Sequence, residues 1–296
     1  MRFSAEQLQA IQTLIRQCGQ QARASGSFQV YEKGWQDYVT DVDRALDAQL
    51  TAGFSRLFPK DGVITEENPQ SWQVLYEGRD RLWLIDPLDG TDDFIQGKPD
   101  YAVMVGLLQA EQPVAGWVYA PAADRLYFGG EGIALASGAG GGAEGNLFQQ
   151  CGDQAPVPLV PTPPPDSPDE CLILLGEKDQ KRFGPAIAAQ IPCARFDTIG
   201  SFGLKVLQVI CGQAGLYLYL NQRVKLWDTT APLAMAKAAG LVCCDLTGKP
   251  IRFTAEALRD NLAHRQPILI GWAKYVETLR SPLQQAVATI SQQLAD

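Results

Sequence analysis

The chain reads as an α/β protein built in two halves, and three observations predict this. Strand-like runs at 102–108, 114–119 and 125–128 follow one another, with Pro113 and Pro121–Ala123 at the turns, as in an antiparallel meander. Seven prolines (156, 158, 161, 163, 164, 165 and 168) crowd residues 155–168, the composition of a linker. Beyond them strand and helix signals alternate, as expected for a sheet covered by helices. The expected division is 1–154, an α+β half; 155–168, the linker; and 169–296, an α/β half.

In the first half, Ser4 caps a helix with Gln7 as its capping-box partner, and Leu8, Ile11, Leu14, Ile15 and Cys18 form its apolar stripe. Residues 37–40 lead into a second helix with Leu46, Leu50 and Phe54 inward. A short strand at 62–65 delivers Glu66 and Glu67 at its end. Trp83, Leu84 and Ile85 read as a buried strand, broken by Pro87. The glycine-rich run 137–145 lacks the Lys-Ser/Thr of a P-loop and reads as a hairpin tip.

In the second half, strands fall at 171–175, 194–198, 216–220, 241–245 and 268–271. Helices fall at 181–189, at 201–211 (ended by Gly212), at 229–239 (ended by Gly240) and at 274–294. The sequence holds no internal repeat.

The 296 residues suffice for a substantial core, and 46% hydrophobic with 20% charged residues is ordinary for a globular enzyme. A net charge of −8 opposes binding to a nucleic-acid polymer but not to a small phosphorylated substrate, because bound metals reverse the sign locally. Seven cysteines without a Cys-x-x-Cys pair read as reduced core residues, and the start Met-Arg-Phe-Ser-Ala-Glu-Gln has no secretory apolar region; together they point to the cytoplasm. No apolar stretch is long enough to span a membrane. His264, the single histidine, sits in a polar stretch and reads as a surface residue. One histidine weakens any Ser-His-Asp or Cys-His scheme.

The chemistry centres on Asp86-Pro-Leu-Asp-Gly-Thr91. Two carboxylates at a strand end repel unless a cation lies between them, and a hard divalent ion such as Mg²⁺ suits oxygen ligands. The N–H groups after Gly90 would face a phosphate at the same place. Other acids have plainer readings when taken alone. Asp228 reads as a helix N-cap, Asp43 as a first-turn acid favoured by the helix dipole, and Lys33 and Lys205 as solvated lysines.

Considered together, these stretches resemble the inositol monophosphatase family. Asp86-Pro-Leu-Asp89-Gly90-Thr91 resembles its first signature. Leu226-Trp-Asp228-Thr-Thr-Ala-Pro232, followed by Ala238-Ala-Gly240, resembles its second. Ile64-Thr-Glu66-Glu67 is similar to its Gly-Glu-Glu element with Thr65 in place of Gly, and 37–43 is similar to its Asp-x-Val-Thr-x-x-Asp stretch. The resemblance runs in order from Lys33 to Gly240.

It implies an α-β-α-β-α sandwich with an antiparallel sheet in the first half and a mixed sheet in the second. It also implies a lithium-sensitive, Mg²⁺-dependent phosphomonoesterase with two or three ions per site, in which metal-activated water attacks the phosphate. By motif position, Glu66, Asp86 and the Leu88 carbonyl would hold one ion, Asp86 would bridge to a second shared with Asp89 and Asp228, and a third would sit near Glu66. Thr91 and Asp43 would orient and activate water, Gly90 and Thr91 would bind phosphate, and Lys33 would reach in from a loop. Family members are often dimers, so a homodimer is compatible with the resemblance.

For the substrate, an inositol monophosphate-like metabolite is the first reading. Gly200-Ser201-Phe-Gly-Leu-Lys205 is also similar to a stretch of the 3′(2′),5′-bisphosphate nucleotidase branch, where Lys205 would meet a second phosphate. That branch carries a Ser-Arg-Ser-His-like turn where this chain has Gly176-Glu-Lys-Asp179. Gly200 and Ser201 fit either branch. A fructose 1,6-bisphosphatase and a non-catalytic metal- or phosphate-binding homologue are the remaining alternatives.

Overall fold

The computed structural model describes residues 3–34, 37–131, 133, 146–164 and 171–293. In chain order the first half runs α1 (Ala5–Ala24), β1 (Val30–Gly34), β2 (Asp37–Thr40), α2 (Asp41–Leu57), β3 (Gly62–Thr65), β4 (Arg81–Asp89), α3 (Thr91–Ile95), β5 (Ala102–Gln109), β6 (Gln112–Ala120), β7 (Arg125–Gly129), β8 (Leu147–Cys151) and β9 (Val157–Pro158). The second half runs β10 (Cys171–Leu174), α4 (Glu177–Gln190), β11 (Ala194–Asp197), α5 (Phe202–Ile210), β12 (Leu216–Tyr219), α6 (Leu226–Ala238), β13 (Val242–Cys244), β14 (Ile268–Gly271) and α7 (Ala273–Gln293).

A seven-stranded sheet in the order β3 to β9 and a five-stranded sheet in the order β11-β10-β12-β14-β13 carry the fold, beside the β1–β2 hairpin. Successive side chains of a strand point to opposite faces, and β4 shows why the layers form. Trp83 and Ile85 join Leu46, Leu50 and Phe54 of α2 and Ile11 and Ile15 of α1 in one core. Leu82 and Leu84 join α5 and α6 residues in a second core on the opposite face. Tyr217 and Ile270 of the five-stranded sheet complete that second core, while Leu216, Leu218 and Leu269 face α4 and α7 in a third. The layers are therefore helices, sheet, helices, sheet, helices, the sandwich the family resemblance implies.

The meander forms as expected, each of its strands antiparallel to the next. The first sheet departs from pure antiparallel pairing at β3, which lies parallel to β4. The 3₁₀ turns of Pro69–Tyr76 carry the chain across between them, and this places Glu66 beside the end of β4. The second sheet is mixed, with β10 parallel to β11 and β12, and β14 antiparallel to β12 and β13.

Part of the expected linker is ordered structure. Val157–Pro158 pairs with β8, and Thr162 N–H donates to the Ile210 carbonyl at 3.0 Å. Residues 165–168 and the glycine-rich run 137–145 lie outside the described residues.

Helix α6 occupies the middle layer and is buried on nearly all sides, as an apolar helix between two sheets must be. It comes close to the first sheet because Gly106 and Gly116 are paired across β5 and β6 beneath it. A methyl group at Gly106 would lie 2.6 Å from the Ala231 nitrogen, and one at Gly116 would lie 2.2 Å from the Ala231 carbonyl oxygen. No helix among the described residues is long and apolar enough to cross a membrane.

Candidate metal centre

Three acids from three separate elements converge. Glu66 follows β3, Asp86 lies near the end of β4, and Asp228 lies in the first turn of α6; each offers a carboxylate oxygen within 4.8 Å of the other two. Asp228 is the third residue of α6 rather than its N-cap, because the helix begins three residues earlier than the sequence suggests. Its Oδ2 accepts the Lys225 N–H at 2.6 Å.

The electrostatics are those of crowded anions. Burial, followed by the charges of Glu66, Asp89 and Asp228, raises the Asp86 carboxyl well above its ordinary value. Burial, then Glu66 and Asp89, pushes Asp228 up to about 7 against the pull of Lys225. Such a set wants positive charge, and oxygen-only donors at this spacing suit Mg²⁺. One cation is already drawn in: the Lys33 ammonium on the β1–β2 hairpin lies 2.9 Å from Glu66 Oε1 and 2.7 Å from Glu67 Oε1. Burial opposes its charge, but the two glutamates outweigh it and hold Lys33 above its ordinary range. Burial and Glu66 raise Glu67 to about 7.

Asp89 stands apart from the trio. Its Oδ2 accepts from the Ser201 hydroxyl and from Gly203 N–H at 2.9 Å, while its charge still reaches Asp86 and Asp228. Burial raises its carboxyl, and those two donors and Lys205 oppose the rise.

Asp43 and Thr91 meet as expected. The Thr91 hydroxyl lies 3.2 Å from Asp43 Oδ1 and 3.0 Å from the Leu88 carbonyl, so its single proton serves one of them at a time. Asp43 also closes a capping box on α2, its Oδ2 accepting from the Thr40 N–H at 2.8 Å and from the Thr40 hydroxyl. Asp43 therefore sits in the first turn of α2, as read, and reaches the Thr91 hydroxyl from there. Burial raises its carboxyl, and the Thr40 and Thr91 bonds oppose this. Gly90 caps α3 with φ +94°, and a side chain there would meet the Asp100 carbonyl at 2.7 Å, so only glycine fits.

Two residues expected at the substrate are engaged by the protein itself. Ser201 is fully buried; it caps α5 and its hydroxyl holds Asp89. Lys205 is 3% exposed, its ammonium donating to the Gly200 carbonyl at 2.9 Å and approaching the Ser201 carbonyl at 3.4 Å. Both side chains are buried and hydrogen-bonded within the protein. Gly200 is exposed, packed where a side chain would come 2.5 Å from Asp93 Oδ2. His264 is likewise no surface residue. It is fully buried with Nε2 2.8 Å from the Thr229 hydroxyl, and burial lowers its pKa to about 4. The polar residues around it in sequence hid this, because His264 follows Ala263, whose bridge to Lys225 draws the segment inward.

The sequence reading gave Glu67 and Thr40 no role of their own and did not single out the paired glycines. Thr40-x-x-Asp43 was the available signal for the cap; nothing in the sequence marks Gly106 and Gly116 as partners. The cysteines are free; Cys18, Cys171 and Cys244 are buried, whereas Cys151 is exposed.

The sequence model of the inositol monophosphatase family matches residues 3–288. This chain belongs to the inositol monophosphatase family. Membership makes it a phosphatase, a phosphoric monoester hydrolase. The 3′(2′),5′-bisphosphate nucleotidase CysQ of Escherichia coli (strain K12) is 31% identical over 216 residues, covering 73% of this chain and 79% of that protein. The fructose-1,6-bisphosphatase/inositol-1-monophosphatase of Aquifex aeolicus is 29% identical over 252 residues, covering 84% and 86%. In three dimensions the chain is similar to an IMPase/NADP phosphatase crystallised with Mg²⁺ and phosphate. That match has a TM-score of 0.69 at 20% identity over 93% of this chain and 92% of that one, and it shows the shared fold.

Proposed function

We propose that this inositol monophosphatase-family protein is a Mg²⁺-dependent phosphomonoesterase of small phosphorylated metabolites. The observation that carries the reading is the convergence of Glu66, Asp86 and Asp228 within 4.8 Å of one another, beside the Asp43–Thr91 pair. Glu66, Asp86, the Leu88 carbonyl, Asp89 and Asp228 would hold the two or three Mg²⁺ ions. Bound Mg²⁺ supplies positive charge against the phosphoryl oxygens and lowers the pKa of water. The protein's own groups do the rest. Thr91 passes a proton from the attacking water to Asp43, whose burial-raised affinity suits a base. Gly90 gives the backbone room for the phosphate to approach, and the Gly90 and Thr91 N–H groups orient it. Ser201 and Lys205 keep Asp89 in place.

The leaving alcohol is the open variable. An inositol monophosphate-like polyol carries no further phosphate; the second reading, a 3′(2′),5′-bisphosphate nucleotidase, does, and the 31% identity to the Escherichia coli nucleotidase favours keeping it. Lithium inhibition and a cytoplasmic location belong to the same proposal.

Phosphate release from inositol 1-phosphate, adenosine 3′,5′-bisphosphate and fructose 1,6-bisphosphate, with and without Mg²⁺, tests it. Asp86→Asn and Asp228→Asn are each expected to lower kcat by about 100-fold or more while the protein stays folded. Undiminished turnover in both variants overturns the ligand assignment, and tight Mg²⁺ binding without turnover on any ester supports a non-catalytic homologue instead.

A further inference from the structure

Two tryptophans from opposite halves meet beside the metal centre. Trp72 lies in the 3₁₀ turns of Pro69–Tyr76, and Trp227 is the second residue of α6, directly before Asp228. Their ring centroids are 5.3 Å apart with planes tilted by 34°. Aromatic pairs in this range attract beyond the area they bury. Trp227 is fully buried, and the Lys225 ammonium lies over its ring at 5.2 Å from the centroid, a cation–π contact on the same indole. No residue of Pro69–Tyr76 is fully buried. Trp72, Val74 and Leu75 are the side chains that press this segment against the core around α5 and α6.

Trp72 also reaches the strand that delivers Glu66. Its indole N–H donates to the Thr65 carbonyl at 2.9 Å, and the hydroxyl of its neighbour Ser71 accepts the Thr65 N–H at 3.0 Å. Thr65 is therefore gripped twice just before Glu66, whose own N–H donates to the Ile85 carbonyl at 3.1 Å. On the other side of the ring pair, Trp227 adjoins Asp228, whose Oδ2 accepts the Lys225 N–H at 2.6 Å. The residue preceding each of these two acids is thus part of one assembly: Thr65 by hydrogen bond, Trp227 by ring contact. Carboxylates within 4.8 Å of each other repel, which drives Pro69–Tyr76 and α6 apart. The tryptophan contact resists that separation at the place where it would begin.

We propose that Trp72 is a positioning residue of the metal centre, its contact with Trp227 setting the spacing between Glu66 and Asp228 before any cation arrives. The proposal rests on the reading of these acids as Mg²⁺ ligands and deepens it. Trp72 acts through Thr65 on one side and through Trp227 on the other. Outer contacts of this kind hold ligands in place in advance, so that less ordering is left for the metal to impose.

Calorimetric titration of the full-length protein with Mg²⁺ alone tests it, alongside the metal-free Tm. Trp72→Leu, which removes both the ring contact and the N–H, is expected to weaken Mg²⁺ binding about tenfold, the effect of losing an outer contact that orients a ligand. Trp72→Phe keeps a ring without the N–H and should recover part of that loss. Phe128→Leu is the control for general loosening. Phe128 is fully buried on β7 in the core shared with α1 and α2, so its truncation should lower Tm and leave the Mg²⁺ dissociation constant within about twofold of wild type. A dissociation constant unchanged in folded Trp72→Leu overturns the positioning role, and so does an equal weakening in Phe128→Leu. If Trp72→Leu does not fold, Trp72→Phe decides: about threefold weaker binding, the scale of one lost hydrogen bond, upholds the role and wild-type binding overturns it. Mg²⁺ binding without phosphate release from any ester overturns the phosphatase reading and leaves the positioning role standing. A wild-type protein that binds no Mg²⁺ overturns both.

Discussion

At the residue scale, Lys205 illustrates how a buried charge acts through its neighbours. Burial lowers its pKa to about 8, while Asp89 and Asp93 pull the other way and keep the ammonium favourable. Its bond to the Gly200 carbonyl, with Ser201 next in the chain, fixes the loop whose hydroxyl grips Asp89. On the proposed reading, in which Asp89 is a metal ligand, Lys205 is thus a positioning residue. Lys205→Met is expected to raise the Mg²⁺ concentration for half-maximal phosphate release by about tenfold, the usual scale for losing a group that orients a ligand. Lys205→Arg should recover part of the loss by restoring a cation with N–H donors. An unchanged Mg²⁺ dependence in folded Lys205→Met would show that Asp89 keeps its position without help.

At the scale of elements, the site depends on how closely α6 approaches the first sheet. Asp228 is on the helix and Asp86 is on β4, so their separation is set by that packing. The Gly106–Gly116 pair lets the Ala231 backbone sit on the sheet without intervening side chains. Gly116→Ala would place a methyl group 2.2 Å from the Ala231 oxygen, well inside contact distance, so strand or helix must shift. Overpacking of this kind costs about 1–3 kcal/mol. Thermal unfolding should show a clear drop in Tm together with weaker Mg²⁺ dependence, because the same shift carries Asp228 away from Asp86. A variant with wild-type Tm and activity would mean that the glycines are replaceable packing.

At the scale of the molecule, the candidate metal centre draws on both halves: Glu66 follows β3 and Asp86 lies on β4, while Asp228 comes from the helix between the sheets. Three carboxylates held together without a cation destabilise the fold, and a ligand that binds only the native arrangement stabilises it by mass action. Adding Mg²⁺ is therefore expected to raise Tm progressively with concentration. Asp86→Asn, which relieves the repulsion, should raise the metal-free Tm and blunt the Mg²⁺ shift. Differential scanning fluorimetry reads both, and a Tm indifferent to Mg²⁺ in the wild type would count against metal binding at this cluster.

Much of this was legible along the chain. The helical stripe of α1, the inward Leu46, Leu50 and Phe54 and the meander follow from periodicity and backbone chemistry, which are local properties; the break expected at Pro87 is instead a register shift within β4, which runs on to Asp89. The family motifs added the ordered set of acids. Lys205 and His264 could not be placed this way, because a polar residue in a polar stretch looks solvated until the segments that bury it are known. The approach of α6 through paired glycines and the parallel insertion of β3 likewise arise only when distant segments pack. What the sequence determined by itself was which residues carry charge, hydrogen-bonding groups and apolar faces. Which of them touch was decided by the tertiary structure alone, since electrostatic repulsion, burial and hydrogen bonding act through distance in space and not along the chain.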